Sequence, residues 1–260
     1  MIYIVILILL VTLVAWYLSS NKRKVPVTDV AAPKSSYKDL LNAHVEYYNK
    51  LNDADQLRFE RLISEFLTEV NVEGVGVEVT DVIRILVAAS AIIPVFGFKE
   101  WRYQNLTNVI VYPDTFDAEY QFEGENRNIM GMVGTGYMNG QMLLSYSALL
   151  KGFSKSSGKE NTGIHEFVHL LDKSDGATDG VPENMMSHEY ATPWLQMMHK
   201  EMHRIKEGKS DINPYALTNE AEFLAVASEY FFEKPDQFKA KHPELYEQLS
   251  QVFRQEPAND

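Results

Sequence analysis

Two histidines four residues apart are the side chains with the clearest chemical potential in the sequence. His165 and His169 enclose Glu166 in the segment HEFVH, which is able to be helical throughout. Residues four apart lie on one face of a helix, so both imidazoles can bind one metal ion. Glu166 lies about 100° around that helix from His165, close to a metal-held water but outside the ligand set. The spacing favours metal-assisted hydrolysis, although so short a pattern also arises by chance on core or surface helices.

A third ligand is needed to complete a catalytic zinc site, which keeps its fourth position open to water. The sequence has no cysteine, so this ligand must be a histidine or a carboxylate. The apolar segment from Asn219 to Phe232 carries Glu222 and Glu229, seven residues apart and therefore on one side of a helix. Because a buried carboxylate without a partner is costly, we expect one glutamate to bind the metal and the other to accept a hydrogen bond from a ligand histidine. The spacing alone leaves open which glutamate has which role.

The apolar patterning predicts the elements that must position these residues. After residue 36, two opening helices, one buried helix and four later helices are indicated by apolar residues at helical spacing. Thr80 is expected to cap the buried helix, and Asp53 or Asp55 the second opening helix. The buried and later helices are predicted at 82–96, 160–171, 190–206, 219–232 and 243–253, and strands at 109–112, 131–138 and 142–144. The predicted fold class is α+β, mostly helical, with a small sheet that precedes the histidines.

The first residues of the chain predict a membrane anchor over residues 1–20. The stretch from Ile2 to Leu18 has no charge and reaches the lower end of the length that spans a bilayer. Trp16 and Tyr17 suit an interfacial aromatic belt, and the basic residues 22–24 follow them, which places the remaining chain in the cytoplasm. A cleaved signal peptide is the alternative, but its basic start and small cleavage-site residues are not evident.

Composition constrains the rest of the chain. Residues 21–36 are rich in Pro, Ser and Ala without apolar periodicity and predict a linker, so the catalytic domain is placed at 37–260. The formal net charge of -12 opposes direct binding of nucleic acid, which depends on clustered basic residues. The expectation is a single-pass membrane protein with a cytoplasmic catalytic domain.

Other candidate residues carry weaker signals. His199 and His203 are also four apart, but they lie among charged residues and are expected on a solvated face. His242 has no partner pattern and is interpreted as structural or exposed. Asp172 and Asp179 would either orient a ligand histidine or serve as cap and loop residues.

Glycines between residues 131 and 138 invite a phosphate-loop interpretation, which the absence of a following Lys-Ser or Lys-Thr pair excludes. We expect this region and Met142 to Leu144 to form a sheet edge along which an extended peptide pairs through its backbone.

Three sequence blocks resemble the zinc peptidases typified by Mlc titration factor A, which are distantly similar to the catalytic domain of anthrax lethal factor. The blocks are HEFVHLLD, DGVPE and NPYALTNEAEFLAVASEYFFEKP, within a similarity that runs from Val109 to Phe238. This resemblance implies a zincin-like domain in which His165, His169 and Glu222 bind Zn²⁺.

The same resemblance implies roles for two further residues. Glu166 would serve as general base, and Tyr215 stands seven residues before Glu222, where a tyrosine faces the metal in the lethal-factor relatives. Its phenol would donate a hydrogen bond to the oxyanion formed during hydrolysis. The implied activity is cleavage of a peptide or protein substrate through a metal-activated water. The alternative is a membrane-anchored module that captures a cytoplasmic transcriptional regulator, with proteolysis secondary.

Overall fold

The computed structural model describes residues 37–124, 127–156 and 158–258. The predicted anchor at residues 1–20 and linker at residues 21–36 lie outside these ranges and stay predictions. Within the described ranges, no helix combines the length and the apolar character needed to cross a bilayer.

The described chain is mostly helical with one four-stranded sheet, which confirms the predicted α+β class. The helices are α1 Tyr37–His44, α2 Glu46–Lys50, α3 Asp53–Glu69, α4 Asp81–Ile92, α5 Tyr146–Gly152, α6 Thr162–Asp172, α7 His188–Lys206, α8 Glu220–Glu233, α9 Pro235–Lys241 and α10 Pro243–Phe253. The strands are β1 Asn71–Gly74, β2 Asn108–Tyr112, β3 Gly131–Val133 and β4 Gln141–Ser145. Short 3-10 segments occupy Ile93–Val95, Gly136–Met138, Lys173–Asp175 and Pro214–Leu217.

The sheet has the strand order β1-β2-β4-β3. Strands β1, β2 and β4 run parallel, and β3 runs antiparallel to β4 with Met132 opposite Leu143. The expectation that Met142 to Leu144 form a sheet edge is therefore wrong, because β4 is paired on both sides and these residues are buried. Their uninterrupted apolar character is typical of an interior strand. The edge nearest the histidine helix is β3 alone.

Helix ends differ from the predicted ones where local chemistry decides them. Thr80 caps α4 as expected, with its Oγ1 accepting from the backbone N–H of Ile83 at 3.4 Å. The α-helix ends at Ile92 and continues as a 3-10 turn, because Pro94 has no N–H to donate. Asn52, and neither of the predicted aspartates, caps α3 by accepting from Ala54 N and Asp55 N.

The histidine helix α6 lies in the centre of the core, in contact with both α4 and α8. Its approach to α4 requires Gly163, because a Cβ on this residue would lie 2.1 Å from Ser90 Oγ. The ring of Phe167, on another side of α6, packs edge-on against Phe66 with centroids 5.8 Å apart. The helix that carries the candidate ligands is thus held by buried contacts along its length.

Candidate metal centre

Helix α6 places His165 and His169 on one face, as their spacing predicts. The helix is started by Asn161, whose side-chain oxygen accepts from Ile164 N at 3.1 Å. The two imidazole rings lie edge to face with centroids 4.8 Å apart, and their Nε2 atoms are 3.1 Å apart. Both rings therefore direct the same nitrogen at one point.

Helix α8 brings Glu222 to that point. Asn219 caps the helix by accepting from Glu222 N at 2.9 Å, which fixes the first turn of α8. The Oε2 atom of Glu222 lies 3.0 Å from His165 Nε2 and 3.5 Å from His169 Nε2. Among the described residues, these histidine and glutamate side chains form the group whose donor atoms converge closely enough to hold a metal ion.

The three donor atoms fit a tetrahedral metal site. Ligands at about 2.0 Å from a zinc ion lie about 3.3 Å from one another in a tetrahedron. The separations in the structure are 3.0 Å, 3.1 Å and 3.5 Å, with two nitrogens and one carboxylate oxygen as donors. Three protein ligands at these positions would leave a fourth position for water or substrate, as in a catalytic site.

Glu229 has a separate role from Glu222, a distinction that the sequence spacing left open. Its Oε1 lies 2.7 Å from His165 Nδ1, on the opposite side of the ring from the converging Nε2 atoms. Its Oε2 accepts from the backbone N–H of Asn161 at 2.5 Å. A carboxylate in this position fixes the tautomer and orientation of a ligand histidine. Asn161, which sequence reasoning missed, also donates through Nδ2 to Glu233 Oε1 at 2.8 Å.

Glu166 is buried beside the histidines and faces strand β3. A Cβ on Gly131 would lie 2.5 Å from Glu166 Cγ and 2.6 Å from its Oε1, so only glycine leaves room for this carboxylate. Burial raises the pKa of Glu166, and the nearby carboxylates of Glu222 and Glu229 raise it further against the lowering effect of the two histidines. No local sequence signal indicates this contact, because it joins residues 35 positions apart.

The charges around His165, His169 and Glu222 favour a cation between these side chains. Burial lowers the pKa of His165, but its hydrogen bonds with Glu222 and Glu229 outweigh this and raise the pKa to about 10. Burial raises the pKa of Glu222, whereas its contacts with His165 and His169 lower the pKa to about 2. Two carboxylates thus converge on one imidazole, a site that binds a cation strongly, either a proton or a metal ion.

Tyr215 lies at the rim of the same cleft. It is 54% exposed, in the 3-10 segment Pro214–Leu217, and its ring centroid is 6.1 Å from that of His165. It lines a cavity of about 320 Å³ together with Glu166 and the converging ligands. Burial and the carboxylates of Glu222 and Glu166 raise the pKa of Tyr215, so its hydroxyl stays protonated and able to donate.

Asp172 and Asp179 hold the loop that follows α6. Asp172 Oδ2 accepts from Gly180 N at 3.0 Å, and Asp179 Oδ1 accepts from Val181 N at 3.1 Å. Gly180 has φ +77°, a conformation that favours glycine, and its carbonyl accepts from Trp194 Nε1 at 2.6 Å. The block DGVPE therefore closes a loop beside the cleft.

The remaining histidines divide as the sequence indicates. His199 and His203 are exposed and lie beside Glu220 and Glu207. His242 is structural: it is buried, with Nε2 2.8 Å from Asp211 Oδ1 and Nδ1 3.1 Å from Glu201 Oε1. We call the group of side chains around this histidine the Asp211 cluster; its members are Lys159, Glu201, Asp211, Tyr230, Lys241 and His242.

Comparison with known proteins identifies relatives over most of the chain. The model of the family described as glucose-regulated metallo-peptidase M90 matches residues 18–254. An uncharacterized protein of Synechocystis sp. is 28% identical over 231 residues, which cover 84% of this chain and 83% of that protein. Mlc titration factor A of Pectobacterium atrosepticum is 27% identical over 224 residues, 80% of this chain and 82% of that protein. The corresponding figures for Mlc titration factor A of Klebsiella pneumoniae subsp. pneumoniae are 26% over 222 residues, 80% and 82%. The family resemblance predicted from the three sequence blocks is confirmed.

Proposed function

Because the chain belongs to the glucose-regulated metallo-peptidase family M90, we propose that it is a zinc-dependent peptidase with His165, His169 and Glu222 as metal ligands. The observation that carries this proposal is the convergence of three donor atoms at separations of 3.0 Å, 3.1 Å and 3.5 Å, beside a buried glutamate that is not among them. Nitrogen and carboxylate donors in a tetrahedral arrangement suit zinc better than the hard cations, which take six or more oxygen ligands.

The chain's own residues have distinct tasks in the proposed hydrolysis. A zinc ion at these ligands supplies Lewis acidity and lowers the pKa of a water molecule. Glu166 accepts the proton of the attacking water and returns it to the leaving amine, and its raised pKa suits a group that both takes and gives a proton. Glu229 holds the ring of His165 in place through Nδ1. The protonated hydroxyl of Tyr215 donates to the oxyanion.

The substrate is proposed to be an extended peptide that pairs with β3. This strand hydrogen-bonds to β4 on one side, and in the described part of the chain no strand pairs with its other side. Gly131 of β3 is in contact range of Glu166, so a peptide along this edge would present a carbonyl to the metal ligands. We also propose a zincin-like fold for this domain, in which the helix of the motif HEFVH packs against the edge strand β3.

Residues 1–20 are proposed to anchor the protein in a membrane, with the catalytic domain at 37–260 in the cytoplasm. The support is the uncharged segment followed by three basic residues, which favour the cytoplasmic side. Alkaline extraction of membranes from cells that express the whole chain tests the anchor. Retention in the membrane pellet is expected, and release of the intact chain into the supernatant would exclude an integral helix.

A second candidate function is capture of a transcriptional regulator. Relatives of this chain carry the name Mlc titration factor A, which points to titration of a protein called Mlc. Applied to this chain, the hypothesis makes the membrane-anchored protein a binding module in which proteolysis is secondary. The two functions differ in what Glu166 contributes, since a binding surface does not need a general base.

The whole chain in detergent, with its metal content measured by elemental analysis, provides the test. A mixed peptide library is incubated with the wild type and with Glu166→Gln. One zinc per chain in both proteins is expected, with turnover lowered about 10³-fold in the variant, the scale of a lost general base. Zinc without cleavage in either protein would favour the binding module. Absence of zinc would refute the proposed ligand set.

A further inference from the structure

Lys173 extends the face of α6 that carries the metal ligands. The residues at 165, 169 and 173 follow one another at intervals of four, and the α-helix continues into a 3-10 turn at Lys173–Asp175. Each interval of four advances about 6 Å along a helix on nearly the same side. Lys173 accordingly lines the cavity that contains His165, Glu166 and His169.

The ammonium group of Lys173 is held by a backbone carbonyl. Its Nζ donates to Gly134 O at 3.2 Å. Among the described residues, the ion pairs within 4.0 Å do not include Lys173, whereas Lys159 and Lys241 both reach the carboxylate of Asp211. Lys173 is therefore a half-buried cation at the cleft, and no carboxylate of the described chain lies within 4.0 Å of its Nζ atom.

A second cavity meets the cleft at Lys173. It has a volume of about 550 Å³, and its lining includes Trp101, Tyr103 and Leu170. Val133 and Lys173 line both this cavity and the cleft of the metal ligands. A substrate that extends from the ligands past the end of β3 would pass the ammonium group before it reached the aromatic wall.

The course of β3 sets the distance between the metal ligands and Lys173. Gly131 adjoins Glu166, and Gly134 accepts from Lys173. Three residues of extended chain span about 10 Å. A peptide that runs along β3 therefore brings a group two or three residues from the scissile bond to Lys173.

We propose that Lys173 binds a carboxylate of the substrate two or three residues from the scissile bond, so that the cleft selects acidic peptides. The inference rests on the proposed peptidase function, because it names the substrate class of the same cleft. The carboxylate belongs either to an Asp or Glu side chain or to the carboxyl terminus of the peptide. Both sources offer the same oxygen pair to the ammonium group.

Binding to a protein that does not consume its substrate tests this proposal. The probes are pools of labelled eight-residue peptides with Glu or Gln fixed at one position, made with free or amidated carboxyl termini. Their binding to zinc-loaded, full-length Glu166→Gln is measured by fluorescence polarisation. We expect one acidic pool to bind about tenfold more tightly than its neutral counterpart, the scale of a charge-assisted hydrogen bond. A preference for fixed Glu identifies a side chain, and a preference for the free terminus identifies an exopeptidase-like mode.

Variants of Lys173 in the same background assign the preference. Lys173→Met should abolish it, Lys173→Arg should retain it as a folded control, and Lys173→Glu should favour pools with fixed Lys. Lys206→Met changes an exposed lysine of α7 and should have no effect. Equal binding of acidic and neutral pools, or no binding of any pool, would overturn the proposal.

Turnover by the wild-type protein separates the two proposals. Cleavage without a preference for acidic peptides would refute the role of Lys173 and leave the peptidase function intact. A preference in binding that depends on Lys173, together with no cleavage, would refute the peptidase function and leave the carboxylate site intact.

Discussion

Helix α8 contributes neighbouring residues to two partly buried clusters of histidines and carboxylates. Glu229 contacts His165 in the metal cleft, and the next residue, Tyr230, donates to Asp211 Oδ2 at 3.0 Å in the Asp211 cluster. Both clusters place a histidine between two carboxylates, His165 between Glu222 and Glu229 and His242 between Glu201 and Asp211. The chemistry of the two groups is therefore similar at the level of residue types.

The clusters differ in how their charges are balanced. The Asp211 cluster contains its own cations, since Lys159 and Lys241 lie 2.5 Å and 2.8 Å from Asp211 Oδ2. In the cleft, no lysine or arginine of the described chain forms an ion pair with Glu222 or Glu229.

The contacts of the histidine ring nitrogens also differ between the two clusters. His242 directs its two nitrogens at two different carboxylates. His165 does the same with Glu222 and Glu229, but its Nε2 atom also lies 3.1 Å from Nε2 of His169. Two imidazole nitrogens that face each other are unfavourable as two lone pairs unless a proton or a metal ion lies between them. A cluster that neutralises itself stabilises the fold, whereas one that converges on a point is suited to bind a metal ion. Mutations should affect stability in the first and metal affinity in the second.

The largest effect that separates the clusters is expected from His242→Ala. This change leaves the buried carboxylate of Glu201 without its histidine, although Asp211 keeps its two lysines. Loss of one partner from a buried ion pair costs about 3 kcal/mol, at the lower end of the usual range because Asp211 stays paired. The free energy of unfolding in urea should fall by about that amount, while zinc content is unchanged.

The control for this prediction is His199→Ala, which removes an exposed histidine beside Glu220. Exposed pairs contribute about 0–1 kcal/mol, so the stability should change little. Loss of zinc from His242→Ala, or equal destabilisation by both variants, would contradict the division between the clusters.

A smaller effect, on metal affinity, is expected from Glu229→Gln. The glutamine cannot accept two strong hydrogen bonds from His165 Nδ1 and Asn161 N as the carboxylate does, so the imidazole is less firmly oriented. Zinc affinity, measured by competition with a chelator, should fall roughly 10- to 100-fold. Glu233→Gln is the matched control, because Glu233 contacts Asn161 and is not in the set of carboxylates beside His165. Equal losses of zinc affinity in the two variants would show that the contacts of both glutamates with Asn161 matter and that the contact of Glu229 with His165 does not.

The sequence was sufficient for the elements that carry the metal cleft, because their signals are local. The apolar spacing predicts both α6 and α8 to within about two residues. Their caps, Asn161 and Asn219, are further local signals that the prediction did not use. Strand β1 is not among the predicted strands, although Val70 to Glu73 alternates apolar and polar residues. So short a segment becomes a strand through its pairing with β2.

The division of roles between the two glutamates of α8 could not be predicted from their spacing. Glu222 and Glu229 lie on one side of the helix. Their roles depend on which of the two carboxylates contacts Nε2 of His165 and which contacts Nδ1. This register is set by the packing of α8 against α6, a tertiary contact. Lys173 has a local signal, because it lies one further interval of four after His169. The motif HEFVH ends at His169 and does not include it.

The smallest predicted difference is the pH dependence of the Asp211 cluster. Burial lowers the pKa of His242, but the carboxylates of Glu201 and Asp211 outweigh it and raise the pKa. A raised histidine pKa stabilises the fold fully below the unfolded value of about 6.5, and this contribution is lost as the pH rises through the folded value. Burial raises the pKa values of Glu201 and Asp211, whereas the cations around them lower both below their usual range. Their contribution is present above about pH 4 and is lost as the pH falls through the lowered values.

The two trends together define a window for comparison of the wild type with His242→Gln. The difference between their free energies of unfolding should be largest between about pH 4.5 and 6.5. It should decrease as the pH rises through the raised pKa of His242. Urea unfolding of both proteins at a series of pH values, with the same excess of zinc throughout, measures it. Glutamine retains hydrogen bonding but has no charge, so the difference isolates the proton on His242. A difference that stays constant up to pH 9 or above would mean that His242 acts by packing and hydrogen bonding alone, and the Asp211 cluster would then owe its balance of charge to Lys159 and Lys241.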